Sequence, residues 1–310
     1  MIIKFLDFLG RHATVLMASS VFVALIVPGL ARLLNPLLTV SIWGLLFLAM
    51  VRLDWRAVQE NIKRGRLGAV ALIWILLASP LLMWVFVSNT NLAPGIAAAM
   101  LMMAASAPLN STPALVMMMG LNGALALVVM VAATFLLPVT MPIIALEFLG
   151  IQLDMSALEM AGRLAVMLGS AFVASMLCRR LIGVERITDW KNRADGLVVI
   201  LMAIFAIAIM DGVTDLLIED PVRILLITLL SFAANALLQL IGFVLFYKCG
   251  WRDALTLGFV GANRNMGIIL AVLPAGIDPD IVLYFALAQF PMYVYPAVLK
   301  PLVQKWSAPK

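Results

Sequence analysis

Phe259-Val260-Gly261-Ala262-Asn263-Arg264-Asn265-Met266-Gly267 lies within an otherwise apolar segment that extends from Ala254 to Leu273. A segment of about 20 apolar residues is long enough to cross a bilayer as a helix. Here two asparagines and an arginine interrupt it, and a charge at membrane depth costs at least about 2.5–3.5 kcal/mol. Because Gly261 and Gly267 permit unwinding, the stretch predicts a broken membrane helix. A partner, a water-filled cavity or a ligand must offset the charge.

A second interrupted segment, Ala107-Pro108-Leu109-Asn110-Ser111-Thr112-Pro113, lies in the first half of the chain. Pro108 and Pro113 each remove a helical hydrogen bond. The polar side chains between them can satisfy freed backbone groups or face a cavity. Two broken membrane helices in corresponding halves are typical of the binding site of a secondary transporter. The alternative interpretation is a pair of kinks whose polar residues simply pack between helices.

The composition indicates a membrane protein. Hydrophobic residues make up 65% of the chain and charged residues 12%, with a mean hydropathy of +1.11. The formal charge of +5 does not predict a nucleic-acid partner, because the basic residues cluster between predicted spans. The single histidine and two distant cysteines predict no metal site and no cofactor. We expect no enzyme activity, since an intramembrane enzyme needs paired catalytic groups at membrane depth.

The hydropathy pattern predicts ten membrane helices. They cover about 12–30, 36–53, 67–87, 94–119, 123–146, 157–177, 196–210, 221–247, 254–273 and 281–302. If the N-terminus is cytoplasmic, seventeen of the 21 basic residues lie on the cytoplasmic side, and only Arg32, Arg163 and Arg223 lie outside. This bias predicts a multi-pass protein of the cell (inner) membrane with both termini in the cytoplasm.

Arg264 is the remaining basic residue, and the prediction places it within the membrane. None of the 16 acidic residues falls at mid-membrane, so either water and backbone carbonyls solvate the guanidinium or an anion comes to it. A guanidinium suits a carboxylate because it can donate two parallel hydrogen bonds. We therefore predict an organic anion as substrate. Candidate substrate-binding residues are Arg264, Asn265, Asn263, Asn110, Ser111, Thr112 and Gln289, although Gln289 could equally form an interhelical hydrogen bond.

The residues from Pro108 to Pro142, including the turn Gly120-Leu121-Asn122-Gly123, resemble the fourth and fifth spans of the bile acid:sodium symporter family. Val260 to Gly267 resembles the ninth span of that family, which belongs to the bile/arsenite/riboflavin transporter superfamily. The resemblance implies one all-α transporter domain, residues 1–310, with ten helices in two inverted five-helix repeats. It implies panel helices at about 12–53 and 157–213, and core helices at about 67–148 and 222–304. Broken helices 4 and 9 would cross in the core.

The family moves organic anions by alternating access, usually driven by two sodium ions, and the chain departs from its pattern at the sodium ligands. Val260 stands where the family has a glutamate that bridges both sodium sites. Arg264 stands where a glutamine binds the second sodium, and the family's third-span glutamine aligns near Ile75. A neighbouring cation repels sodium, and Arg264 could itself occupy the place of the ion.

Some sodium-site positions are kept. Thr134 retains a sodium-site threonine, and Asn265 retains an asparagine associated with substrate. Ser111 and Thr112 match the family's serine-asparagine pair only with a one-residue gap. Thr134, Ser111 and Thr112 are therefore the candidate sodium ligands, and we expect sodium coupling to be impaired or absent.

Several alternatives remain open. The chain could be a sodium-coupled organic-anion symporter with relocated ligands, or a related carrier of another cargo such as an arsenite permease or an auxin-efflux-like carrier. A passive channel would need symmetric rings of pore-lining residues. We expect a monomeric carrier whose partners are a small organic anion and the lipid bilayer.

Overall fold

The computed structural model describes Val23 and residues 26–61, 65–148, 151, 153–274 and 276–307. Most of the first predicted span, 12–30, lies outside the described residues. Within the described part of the chain the regular elements are helices, and one isolated backbone bridge joins Pro108 to Arg264.

The described residues of the first half of the chain form eight α-helices. They are α1 (Pro28–Leu34), α2 (Leu38–Val51), α3 (Trp55–Asn61), α4 (Gly65–Ile73), α5 (Ser79–Ser88), α6 (Pro94–Ala105), α7 (Thr112–Met118) and α8 (Gly123–Pro142). A π-helical segment, Trp74–Ala78, joins α4 to α5, and a second one, Ile143–Phe148, extends α8.

The described residues of the second half form nine α-helices. They are α9 (Ala157–Ile182), α10 (Val184–Asp189), α11 (Lys191–Ala208), α12 (Val213–Glu219), α13 (Pro221–Phe246), α14 (Trp251–Ala262), α15 (Met266–Val272), α16 (Pro279–Leu287) and α17 (Gln289–Ser307). Short 3₁₀ turns at Asn35–Leu37 and Tyr247–Cys249 precede α2 and α14.

Six helical segments within the described residues are long and apolar enough to cross a membrane, which identifies a helical, multi-pass membrane protein. They are Gly29–Val51, Gly65–Ser88, Gly123–Leu146, Ala157–Ile182, Pro221–Cys249 and Pro279–Val303. The pair Arg193–Ala208 and Val213–Glu219 passes the same criteria together, with a 40° bend between its members. The predicted spans 94–119 and 254–273 are each divided into two shorter helices, so neither counts as a continuous span. Ten spans remain a prediction.

The described chain divides into two compact units. The first contains the described residues up to Leu53 together with Ala165–Ile224, and the second contains Asp54–Leu164 together with the described residues from Leu225 onward. In the first unit, Arg179 donates through Nη1 to the carbonyls of Val51 (2.6 Å) and Leu53 (3.0 Å). A cation at the C-terminal end of α2 complements the partial negative charge of that end.

The second unit is built around α6, whose residues from Ala99 to Ala105 are all buried. Met100, Met102 and Met103 lie among these buried residues, whereas Met117 and Met118 of α7 are exposed. The apolar side chains of α6 therefore pack in the interior. The polar residue that follows the C-terminal end of α6, Ser106, is buried in the same interior.

Candidate functional site

The two interrupted segments pair with each other through their main chains. The amide of Leu109 donates to the carbonyl of Asn263, and the amide of Asn265 donates to the carbonyl of Ala107, each at 2.8 Å. This antiparallel bridge satisfies backbone groups that the broken helices leave without helical partners, as a low-dielectric interior requires. Both segments therefore lie side by side within the second unit.

The interruptions are placed as predicted but differ in detail. The second is only Asn263–Asn265, because α14 continues through Gly261 and α15 already contains Gly267. A Cβ atom at Gly261 would lie 2.7 Å from Nε1 of Trp74. Gly261 therefore permits close packing against the indole ring, whereas the sequence suggested a role in unwinding.

In the first interruption, Ser106 leaves the helix with an extended backbone (ψ 162°) and α7 begins at Thr112. Pro108 lies within the interruption. Pro113 occupies the first turn of α7, where a proline removes no helical hydrogen bond.

Arg264 lies at the bridge and is fully buried. Its Nε donates to the carbonyl of Gly261 at 2.6 Å, and its Nη1 donates to the carbonyls of Ile75 (3.0 Å) and Ser106 (2.7 Å). Its Nη2 donates to the hydroxyl oxygen of Ser79 at 2.5 Å. Four of the five guanidinium N–H groups are therefore bound by oxygens of the protein, and we call these four oxygens the oxygen cage.

No carboxylate belongs to the oxygen cage. Arg264 is the one charged side chain among the buried residues of the described chain, and no described acidic residue forms a salt bridge with it. Of the two ways to stabilise this charge that the sequence allows, the structure shows solvation by backbone carbonyls. These hydrogen bonds stabilise the buried charge strongly, because each hydrogen bond to a charged group contributes about 1.5–3 kcal/mol.

The carbonyl of Ile75 is available to Arg264 because of a local irregularity in the preceding helix. The amide of Ser79 donates to the carbonyl of Trp74, five residues earlier, instead of to Ile75. In this π-helical register the next amide, at position 80, would donate to Ile75. Pro80 has no N–H, so the carbonyl of Ile75 is left without a backbone donor.

A similar argument explains the role of Ser79. Pro108 cannot donate to the carbonyl of Ala104, which lies four residues before it at the end of α6. The hydroxyl of Ser79 approaches this carbonyl at 3.3 Å and the carbonyl of Ile75 at 2.9 Å, while its oxygen accepts from Arg264. One serine thus connects the helix end, the π-helical segment and the guanidinium.

Two members of the oxygen cage lie at helix C-terminal ends. Ser106 follows the last residue of α6, and Gly261 belongs to the last turn of α14. A helix C-terminus carries a partial charge of roughly −0.5. Two such ends therefore compensate most of the +1 charge of Arg264.

The last turn of α14 is also held by α13. The side-chain Nδ2 of Asn235 donates to the carbonyl of Ala262 at 3.1 Å, and its Oδ1 accepts from Nε2 of Gln239 at 2.7 Å. The approach of the two helices is very close, because a Cβ atom at Gly258 would lie 2.5 Å from the backbone oxygen of Gln239. Small residues allow such contacts between membrane helices.

The other predicted residues of the second interruption face different surroundings. Asn263 is fully buried, and its Nδ2 donates to the carbonyl of Phe259 at 2.9 Å. Its Oδ1 has no hydrogen-bond partner among the described residues, and the same is true of the buried hydroxyl of Thr112. Asn265 is 8% exposed, and its side chain forms no hydrogen bond with the described part of the chain. These three side chains retain capacity for a ligand.

The remaining predicted residues lie at the periphery or bond elsewhere. Asn110 is half-buried and Ser111 is exposed. The hydroxyl of Thr134 donates to the carbonyl of Met130 in its own helix, and Nε2 of Gln289 donates to the carbonyl of Phe285. No hydrogen bond among the described residues joins Thr134 or Gln289 to the oxygen cage.

The sequence did not reveal three contributors to the site: the carbonyl of Ile75, the hydroxyl of Ser79 and the carbonyl of Ser106. A serine next to a proline in an apolar span, Ser79-Pro80, was the available signal. Main-chain carbonyls leave no such signal in the sequence, since every residue has a carbonyl.

Two further observations concern metal-ligating side chains and cavities. No group of three or more metal-ligating side chains occurs among the described residues. A cavity of about 170 Å³ is lined by Leu153, Asp154, Pro274, Gly276, Ile277, Asp278 and Ile281, and it contains none of the predicted site residues.

Comparison with known proteins adds no family assignment. Neither a family model nor a curated relative matches the chain. The resemblance to the bile acid:sodium symporter family therefore stays a prediction based on the motifs quoted above.

Proposed function

We propose that the protein is a secondary transporter that moves a small organic anion across the inner membrane by alternating access, without obligatory coupling to sodium. The observation that carries this proposal is the antiparallel bridge between two interrupted apolar helices, with Arg264 in the oxygen cage beside it. Irregular backbone at membrane depth is tolerated only inside protein or beside a water-filled cavity. In transporters such interruptions form the binding site.

The charge of the interior supports an anionic cargo. Arg264 is the one charged group among the buried residues of the described chain. The C-terminal ends of α6 and α14 offset most of this charge close to the guanidinium, and no buried side chain of the described chain carries a negative charge that would repel an anion.

The residues that would contact the anion are those of the two interruptions that keep free hydrogen-bonding groups. Asn265 is buried, with 8% of its surface exposed, Asn110 is half-buried and Ser111 is exposed. Their amides and hydroxyl can donate to carboxylate or sulfonate oxygens. We further propose the ten-helix inverted-repeat topology, with the first unit as the panel and the second as the core.

The experiment is counterflow of radiolabelled carboxylates and sulfonates into proteoliposomes, with sodium or choline as the external cation. We expect saturable uptake that unlabelled substrate inside accelerates and that does not change when choline replaces sodium. Uptake that requires sodium would favour the symporter with relocated ligands. Uptake that never saturates would favour a channel. Accumulation of arsenite instead of organic anions would favour the carrier of another cargo.

A further inference from the structure

The oxygen cage around Arg264 has the composition of a cation site. It consists of three backbone carbonyls and one hydroxyl, within 2.5–3.0 Å of guanidinium nitrogens. No acidic side chain of the described chain takes part. Backbone carbonyls and hydroxyl oxygens are also the ligands that hard cations take in proteins.

The oxygens are positioned by the main chain and not by Arg264 itself. Pro80 and the π-helical register deprive the carbonyl of Ile75 of its backbone donor. The carbonyls of Ser106 and Gly261 lie at helix ends, where carbonyls lack helical partners. If the arginine side chain were removed, these acceptors would remain around the buried space that the guanidinium occupies, and leaving them unsatisfied would be unfavourable.

The charge balance also assigns this position to a cation. The C-terminal ends of α6 and α14 each contribute roughly −0.5 charge, which one positive charge neutralises. In transporters with interrupted helices, unwound carbonyls and half-helix C-terminal ends coordinate the coupling cation. Arg264 occupies the equivalent place between Asn263 and Asn265, both of which form the backbone bridge.

We infer that the oxygen cage is a monovalent-cation site whose occupant is the tethered guanidinium of Arg264, so that the protein carries its own cation in place of a dissolved ion. This inference deepens the proposed function and rests on it for its physiological meaning. It assigns Arg264 to the stabilisation of the crossing of the two interrupted segments. The substrate is then left to the other polar side chains of the two interruptions, Asn265, Asn110 and Ser111.

The first test compares Arg264→Lys with Arg264→Met in purified protein, by thermal unfolding in detergent. Both side chains are unbranched and of similar length, but only lysine carries a charge and N–H donors. We expect Arg264→Lys to lie within about 3 °C of wild type, and Arg264→Met to unfold about 5–10 °C lower because several buried oxygens lose their donor. Equal Tm values for the two variants would overturn the inference.

The second test removes the tether with Arg264→Ala and adds the cation back. Low-millimolar guanidinium chloride should raise the Tm of this variant by about 2–4 °C for each tenfold excess over its Kd, and sodium chloride is the second probe. Choline chloride controls for ionic strength, and Arg252→Ala, which removes an exposed arginine at the start of α14, controls for the loss of any arginine. Stabilisation by guanidinium or sodium that is confined to Arg264→Ala supports the inference, and stabilisation by neither overturns it.

Folding failures are also informative. If Arg264→Lys folds while Arg264→Met and Arg264→Ala do not, the need for a cation in the oxygen cage is supported. If Arg264→Lys also fails, a monovalent cation is not sufficient and the inference is wrong. None of these measurements uses a substrate, so anion transport can be absent while the cation site is confirmed, or present while the site is refuted.

Discussion

Replacement of Gly258 by alanine should separate α14 from α13 and weaken the antiparallel bridge that follows α14. A Cβ atom at this position would lie 2.5 Å from the backbone oxygen of Gln239 and 3.0 Å from the backbone nitrogen of Phe243. Neither atom can move aside as a flexible side chain would. Because ordinary contacts begin near 3.4 Å, α14 must shift by roughly 1 Å to accept the methyl group.

The cost can be estimated from the contacts that this shift affects. Overpacking of this size costs about 1–3 kcal/mol. The hydrogen bond from Asn235 to the carbonyl of Ala262, 3.1 Å long, would lengthen beyond hydrogen-bonding distance and add about 1 kcal/mol. The better helix propensity of alanine returns about 1 kcal/mol. The net destabilisation is therefore about 1–3 kcal/mol, which lowers Tm by about 3–10 °C.

The assay is thermal unfolding of the purified protein in detergent, followed by intrinsic tryptophan fluorescence. The matched control is Gly68→Ala, another helical glycine of the second unit, at which a Cβ atom would meet no other atom within 4 Å. We expect the control to be unchanged or slightly stabilised. If Gly258→Ala and Gly68→Ala unfold at the same temperature, the close approach of α13 and α14 and the reasoning built on it are refuted.

Three further predictions concern the π-helical segment, the end of α14 and the membrane topology. Pro80→Ala restores an N–H that competes for the carbonyl of Ile75, so Pro80→Ala and Arg264→Met should couple by about 0.5–3 kcal/mol in a double-mutant cycle of unfolding free energies, whereas additive effects would contradict the shared acceptor. Asn235→Leu should cost about 1–3 kcal/mol in the same assay because it orphans a buried carbonyl, and in its background Gln239→Leu should cost less than it does alone; equal costs would show that the pair does not act together. Cys249, which is exposed, should react with a membrane-impermeant maleimide only after cells are permeabilised, and labelling in intact cells would reverse the predicted orientation.

The sequence predicted the interruptions because their signals are local. Pro108 and the Asn263-Arg264-Asn265 triplet stand out in apolar segments, and each is unfavourable in a continuous membrane helix. The helical class and the multi-pass membrane character followed from hydropathy in the same way. The pairing of the two interruptions joins residues far apart in sequence, so the sequence could favour it only through the resemblance.

The π-helical segment could not be predicted from the local sequence. Trp74–Ala78 consists entirely of apolar residues, and its hydropathy is the same in an α-helical or a π-helical register. Only Pro80 indicates an irregularity, and a proline predicts a kink in general without predicting which carbonyl is freed. The role of Gly261 was interpreted as unwinding for a related reason: its close neighbour, Trp74, is distant in sequence.

Most of the oxygen cage consists of main-chain carbonyls, so a comparison of side chains alone cannot reveal it. The departures at Val260 and Arg264 that the resemblance implies can be recognised in the sequence. The carbonyls of Gly261, Ile75 and Ser106 are provided by any residue type, so their contribution depends on helix ends and on one proline. A helix crossing that presents such carbonyls needs a positive charge at its centre whether or not a carboxylate is present. Arg264 provides that charge from within the chain, so the antiparallel bridge needs no dissolved cation.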